Sequence, residues 1–369
     1  MCRLIATGFL ACAFALAPAG TTPAAPVPKP PILDEQERLL ARCKKFAEQG
    51  KIDLFVAAVP ALKMKADDLR QWEPAVDFGR KLIERAGMTK YTKPQNTPSS
   101  SKDFAGFLAR TGDLDFKRTA ETYFRPDPEA LIPPRASLCE AIQAPGVIDP
   151  EGSMGICNCL ILSRDSVRSN SIQHSVVFVN GDVTAKNVML SNVIVCDGDV
   201  TVIKEFIDQS VIVARGNITA KEGHSNIVLM AGGKITVENK DDLIKSMNAK
   251  PKPGGGIDDA EAAERAMNLY HIAEDKPNTL GVVFFELSTV GVEVKVADEA
   301  VRVGAVAKSK PGEKAGLKVG DVILDVNGRK PDSAESLRRL LRDGLAVGDA
   351  LVTVRRGDKT ETVKIALPE

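Results

Sequence analysis

The chain has 369 residues, room for two or three domains of roughly 100–200 residues each. Apolar residues make up 44% and charged residues 27%, an ordinary globular balance with enough material for cores. Lysine plus arginine and aspartate plus glutamate both number 49, so no charge excess points to a nucleic acid or an anionic membrane surface as partner.

Arg3 followed by the apolar run Leu4 to Ala17, too short to span a bilayer, reads as a secretory signal over 1–19. Ala17-Pro18-Ala19 or Ala15-Leu16-Ala17 supplies the small residues of a cleavage site. The expected location is secreted or periplasmic, in the cell envelope, with no transmembrane segment in the mature chain. Cys12 lies inside the apolar run behind Phe9-Leu10-Ala11, a poor lipidation box, which favours plain secretion. A Pro-rich extended tether over 20–33 follows. Beyond the signal stand Cys43, Cys139, Cys157, Cys159 and Cys196, an odd set that implies no complete disulfide framework. Cys157-Asn158-Cys159 has no second pair or histidine cluster to complete a metal or redox site, and reads as small residues in or beside a buried strand. No cofactor and no metal are expected.

A helical region spans 34–130. Asp34 caps a helix carrying Leu39, Leu40, Cys43 and Phe46 and ended by Gly50. A second helix runs from about Asp67 to Ala86, where Pro74 kinks or restarts it and Trp72 is a core anchor. A polar loop over 89–102 leads to a third helical stretch, from about Asp103 to Phe124, stopped by Pro126 and Pro128.

Between 150 and 240 the sequence repeats. Aligning Asn158, Ser175, Asn192, Ser210 and Asn226 gives steps of 17, 17, 18 and 16 residues, each start followed by four apolar residues such as Val176-Val177-Phe178-Val179 or Val193-Ile194-Val195-Cys196. Six residues past the start come Gly181, Gly198, Gly216 and Gly232, with Arg164 in the first copy, and then a second short strand such as Asp182-Val183-Thr184-Ala185. The Asn-Gly and Asp-Gly pairs alone suggest stacked hairpins. A motif recurring every 17 or so residues instead favours a β-solenoid of about five coils. In period and rhythm the segment from Cys157 to Val237 resembles the bactofilin-type polymer-forming β-helix. Because the first strands are apolar at all four positions, both sides of that wall should be buried, the outer side by the N-terminal helices or by another copy of the chain. Ile194 and Ile212 are read as outward members. Asp165, Asp182, Asp199 and Asn217 are expected to stack at one corner, either splayed into water as turn residues or holding a cation.

A linker over 247–257 and a short helix from Asp258 to about Tyr270 precede the last domain, 279–367. Its markers stand in order: Pro311-Gly312, Ala315-Gly316-Leu317, Gly320-Asp321-Val322-Ile323 and Val326-Asn327-Gly328, with a helix from Ser333 to Arg342. This set resembles the PDZ domains attached to bacterial trypsin-like proteases of the high-temperature-requirement family, over about a quarter of the chain. The whole chain is therefore expected to be multidomain α+β: helical region, β-solenoid, and a C-terminal PDZ β-sandwich with two helices. By the order of its motifs the resemblance places a carboxylate-binding loop at Leu280-Gly281-Val282. A peptide-pairing strand follows from Val283 through Phe284 and Phe285 to Leu287, and a far groove wall carries Leu337 and Leu341. Consecutive backbone N–H groups in such a loop capture a chain-terminal carboxylate, and the strand takes the peptide by β-augmentation. The two leucines read equally well as plain core.

The implied partners are protein C-termini or extended peptides, with self-association through the solenoid as a second possibility. No Gly-Asn-Ser-Gly-Gly-type nucleophile motif occurs, and His174, His224 and His271 are each isolated from a Cys or carboxylate pattern, so the chain is read as no enzyme. Three functions compete: a peptide-binding adaptor, a self-assembling structural solenoid, and a regulator of a separate protease.

Overall fold

A computed structural model describes residues 31–64, 68–88, 140–144, 147–148, 155–157, 159–224, 226–243, 270–298 and 300–368. The expected signal, most of the tether, the third helical stretch and the linker lie outside the described residues.

Three helices form the described N-terminal region: α1 (Pro31–Glu48), α2 (Ile52–Ala58) and α3 (Glu73–Arg85). Pro74 restarts the chain as helix, sitting at the start of α3 after a 3-10 turn over Leu69–Gln71. A proline is tolerated there because the first N–H groups of a helix have no partner within it. Helix α2 had no counterpart in the sequence reading. Its seven residues are all buried, so the segment lacks the one-sided apolar stripe that marks a surface helix.

The centre is a parallel β-solenoid. Its first wall has seven strands, in the order Glu140–Ala144, Cys159–Ser163, Val176–Val179, Val193–Cys196, Val211–Ala214, Ile227–Ala231 and Tyr270–Ala273. The segment around Tyr270, expected to end a helix, instead returns to this wall, pairing Ile227 with Tyr270. The rest of each coil contributes two more columns. Val167, Val183, Val200, Ile218 and Ile235 stack in one, and Ile172, Met189, Ile207 and Gly223 in the other. The apolar members of both columns meet Ile161, Val177, Ile194, Ile212 and Leu229 of the first wall in one dry interior.

Strand register corrects the repeat alignment at both ends. Leu160 pairs with Val176, and Val211 with Val228, so the coils begin at Cys159, Ser175, Asn192, Ser210 and Ile227, one residue later than expected in the first and last copies. Side chains at these starts hold one coil to the next. Cys159 N donates to Ser175 Oγ (3.1 Å), Ser175 N to Asn192 Oδ1 (3.1 Å), and Asn192 N to Ser210 Oγ (3.1 Å). The same shift removes Asp165 from the expected corner stack. Ser166 takes its place, accepting from Asp182 N (3.1 Å). Above it, Asp182 Oδ1 accepts from Asp199 N (2.9 Å), Asp199 Oδ1 from Asn217 N (2.6 Å) and Asn217 Oδ1 from Lys234 N (2.9 Å). Two carboxylates, not three, thus stack here, each accepting from a backbone N–H of the next coil.

The parity of the first wall also differs from expectation. Ile194 and Ile212 point into the solenoid, while Val193, Val195, Val211 and Val213 face outward into the core shared with the helices. A run apolar at every position carries no alternation from which to read its parity. The cover is the chain's own N-terminal region. Phe78 of α3 meets Phe178 edge to face, with centroids 5.9 Å apart and planes at 71°, and Asn180 Nδ2 donates to Asp53 O of α2 (2.9 Å).

The C-terminal domain is an antiparallel sheet of five strands: Val292–Ala297, Ala300–Val306, Val322–Val326, Asp349–Arg356 and Lys359–Ala366. It carries single-turn helices α4 (Leu287–Val290) and α5 (Pro311–Lys314) and one long helix, α6 (Ala334–Val347), capped by Ser333 Oγ accepting from Ser336 N (3.0 Å). Asn327 and Gly328, both at positive φ, make the tight turn that their sequence implies.

Truncating the helix–solenoid contact tests the covered wall. Phe178→Ala should cost about 3–5 kcal/mol of stability. A double-mutant cycle with Phe78→Ala should return a coupling of about 0.5–1.5 kcal/mol, the worth of an edge-to-face pair beyond area. Denaturant unfolding measures both; additive effects would place Phe178 outside this contact.

Candidate functional site

Leu280 ends a 3-10 turn over Pro277–Leu280, and Gly281 follows in the left-handed region at φ 75°. Gly281 N donates to Asn278 O (2.8 Å) and Leu280 O accepts from Arg85 Nη1 of α3 (2.9 Å). Gly281 also lies against Gly50, the residue that ends α1 and stands at φ 74°. A Cβ on Gly50 would fall within 1.8 Å of Gly281 O, so the close approach and the backbone angle both require glycine there. The glycine of the expected loop thus serves a junction between domains.

From Val282 the chain runs on to Glu286 with no sheet partner among the described residues, and Leu287, expected in the strand, begins α4. Val283 is 44% exposed, whereas Val282, Phe284 and Phe285 are buried. Leu337 and Leu341 of α6 are also buried, and α6 packs against α2. The residues expected to line a groove are therefore brought together, and α2 lies between them.

The hydrogen bonds show how completely the space is taken. Val283 N donates to Gly50 O (2.9 Å) and Phe285 N to Asp53 Oδ2 (2.6 Å). Phe285 O accepts from Arg338 Nη1 of α6 (2.9 Å). These N–H groups, at alternate residues, are the ones an added strand would use.

Behind the groove is a buried charge cluster that the sequence reading did not single out. Asp197, at a solenoid corner with no exposed side-chain surface, accepts from Arg215 Nε (2.8 Å), Arg338 Nη2 (2.7 Å) and Arg342 Nη1. Arg338 and Arg342, four apart on α6, are each only 2% exposed. Glu335 Oε1 accepts from Arg215 Nη2 (2.8 Å) and Arg338 Nη2 (2.7 Å), completing a bridge from solenoid to α6. Partial burial opposes ionisation of Glu335, but the hydrogen bond from Arg338 and the charges of Arg338 and Arg215 outweigh it and hold the carboxyl down at about 2. Burial, with the negative Asp197 adding to it, pushes the Asp53 carboxyl up to about 6 against the opposing pull of Arg342 and the N–H groups of Phe285 and Leu54.

A spacing of four between Arg338 and Arg342 was a readable signal for one charged helix face. Their partner lies 141 residues away and looks like an ordinary turn aspartate. No group of three or more His, Cys, Asp or Glu side chains among the described residues is arranged to hold a metal ion. Cys43, Cys159 and Cys196 are buried free thiols, and burial pushes Cys43 up to about 12. His224 stacks on Phe206 at 4.0 Å beside Glu222, while His174 sits at a solenoid corner with φ 48° and His271 lies exposed on the wall's last strand.

Comparison with known proteins agrees on the last domain. The PDZ domain family profile matches residues 288–367. Two Bacillus subtilis (strain 168) proteins are similar over this region. Serine protease Do-like HtrA is 33% identical over 86 residues, 23% of this chain and 19% of that protein. Serine protease Do-like HtrB is 34% identical over 84 residues, 22% of this chain and 18% of that protein. The chain thus spans less than a fifth of the length of these curated relatives. Among solved structures, the HtrA3 PDZ domain bound to a phage-derived ligand (FGRWV) is 26% identical, covering 21% of this chain and 81% of that one at a TM-score of 0.18. The chain carries a PDZ domain, of the kind found in HtrA proteins, joined to a β-solenoid.

Asp53 makes the junction sensitive to pH. Its folded value lies above the ordinary carboxylate value of 3.8, so the folded chain keeps a proton that the unfolded chain has lost. The Asp53 contribution should therefore weaken as pH rises from about 4 to 6 and level off above. Glu335 acts in the opposite sense at lower pH: its contribution is full above the ordinary value of 4.5 and is lost as pH falls toward 2. The stability of wild type relative to Asp53→Asn should fall as pH rises from about 4 to 6, the window set by the Asp53 shift, as read from melting curves of both; a constant difference across it would refute the assignment.

Proposed function

We propose that the protein is an exported, non-catalytic adaptor whose PDZ domain binds extended peptides through a free C-terminal carboxylate, with the solenoid–helix body holding that domain in place. The observation that carries the reading is the PDZ domain itself, with Phe284, Phe285, Leu337 and Leu341 gathered on the two sides of one groove. PDZ domains related to those of HtrA proteins bind peptides. The similarity to the B. subtilis proteases is confined to 86 and 84 residues at this end, and the sequence carries no nucleophile motif of their kind, which supports a binding role without proteolysis. Export rests on Arg3 and the apolar run behind it; among the described residues no helix is long and apolar enough to cross a membrane.

A structural role is favoured by a different observation. The groove of the described chain holds α2, so the domain also acts as a clamp on its own N-terminal region. In that reading the solenoid is the working part and associates with further copies.

The two separate in a binding experiment with the Leu280–Glu369 fragment, which lacks α2. Peptides with an apolar last residue and a free carboxylate should bind, and amidation should weaken binding by about tenfold or more, the worth of a hydrogen bond to a charged group. Equal affinity for free and amidated peptides would sink the carboxylate mechanism, and filaments of the full chain would favour the scaffold.

A further inference from the structure

We propose that the PDZ domain is latched shut: Asp197 of the solenoid, gripping Arg338 and Arg342 of α6, keeps α2 in the groove, and undocking of the domain exposes the groove to peptide. This deepens the peptide-binding reading and rests on it.

Three observations carry the latch. First, the groove is occupied from within, since Val283 N and Phe285 N are bonded to Gly50 O and Asp53 Oδ2 and Phe285 O to Arg338. A peptide strand cannot pair while those bonds stand.

Second, buried charges and polar contacts flank the apolar contact that α2 makes with the groove lining. Besides the Asp197 cluster, Arg42 Nη2 of α1 donates to Leu345 O (2.6 Å) and Gly348 O (3.2 Å) at the end of α6, and Arg85 Nη1 of α3 donates to Leu280 O (2.9 Å). Every one of these groups regains water when the domain leaves. Docking has to desolvate Asp197 and two arginines, and such clusters return little net stability for their number of contacts. Removing one partner of such a cluster leaves the others buried and uncompensated, and this makes Asp197 the point at which the joint can be parted.

Third, parting the joint leaves both folds whole. Among the described residues the five-stranded sheet pairs only within itself, and the solenoid's last wall strand, Tyr270–Ala273, is complete before the link over 274–280 begins. Helix α2 stays on the wall it covers, held by Asn180 Nδ2 and by its contacts with α1 and the strand Val176–Val179. What is exposed is the apolar lining of the groove, which a peptide with an apolar end would cover again. The latch thus sets a competition between an internal occupant and an incoming one, and the apparent affinity falls with the fraction of open domain.

The test uses the full chain. Asp197→Ala removes the shared acceptor and leaves Arg338 and Arg342 facing each other in a dry joint. Arg42→Ala, on α1, loosens the same joint without touching the solenoid, and serves if the first variant fails to fold. Hydrogen exchange at the amides of Val283 and Phe285 reads the joint. Titration with a fluorescein-labelled pentapeptide ending in free valine reads the groove. The expected result is faster exchange at both amides and binding tighter than wild type by at least about tenfold. Unchanged exchange in both variants, or wild type binding as tightly as they do, would overturn the latch. Faster exchange with no peptide bound by any form would leave undocking standing and overturn the peptide-binding reading beneath it.

Discussion

The outward side of the solenoid's first wall sets the architecture. Leu160, Leu162, Val176, Phe178, Val193, Val195, Val211, Val213, Val228 and Met230 form an apolar surface too large to leave in water. Once α2 and α3 cover it, α2 is buried on its remaining sides as well, Asp53 being its one polar side chain, because it lies beneath a second layer. The PDZ domain supplies that layer. Wall, helices and domain form one continuous apolar cluster, so the position of the domain follows from how the repeat is patterned.

Charge gives this stack its direction. Apolar layers slide at little cost, whereas Asp197 can satisfy Arg215, Arg338 and Arg342 in one arrangement alone. Bidentate and multiply shared arginine–carboxylate contacts are geometrically demanding. Their contribution is better understood as fixing the register of α6 over the solenoid than as net stability, since the desolvation of buried ions offsets much of their attraction. Asp53 extends the same logic to the groove. One carboxylate oxygen accepts from Leu54 N, inside its own helix, and the other from Phe285 N, across the joint.

The parts of this structure that were legible in the sequence are those fixed by local rules. The PDZ domain announced itself through Gly316, Gly320, Asp321 and the Asn327-Gly328 turn, and the solenoid through its recurring apolar quartets and corner glycines. Burial of the outer wall followed from the same quartets. What could not be read was whatever depended on parity or on distant pairing. Four apolar residues in a row do not say which pair looks inward, and so Ile194 and Ile212 were assigned to the wrong side. The end coils slipped by one because Asn158 and Asn226 imitate the repeat start, and only strand register separates them from Cys159 and Ile227. Helix α2 was silent for a related reason: a segment buried all round shows no period.

Why a helix start can stand where a strand would go has a simple chemical answer. Gly50 precedes α2, whose first hydrogen bond is taken by Lys51 O, so the Gly50 carbonyl has no claimant within the helix. Its left-handed backbone turns that carbonyl toward Val283 N. Three residues on, the Asp53 side chain supplies the next acceptor, at Phe285 N. Two acceptors thus meet two alternate N–H groups, as a strand would offer them, one from main chain and one from side chain. The apolar residues of α2 then fill the volume over Leu337 and Leu341. The imitation covers acceptors only. The extended segment's own carbonyl at Phe285 finds no donor in α2 and turns to Arg338, a side chain of the opposite groove wall. A true strand ligand would bring N–H donors of its own, and this is the respect in which an incoming peptide improves on the internal occupant.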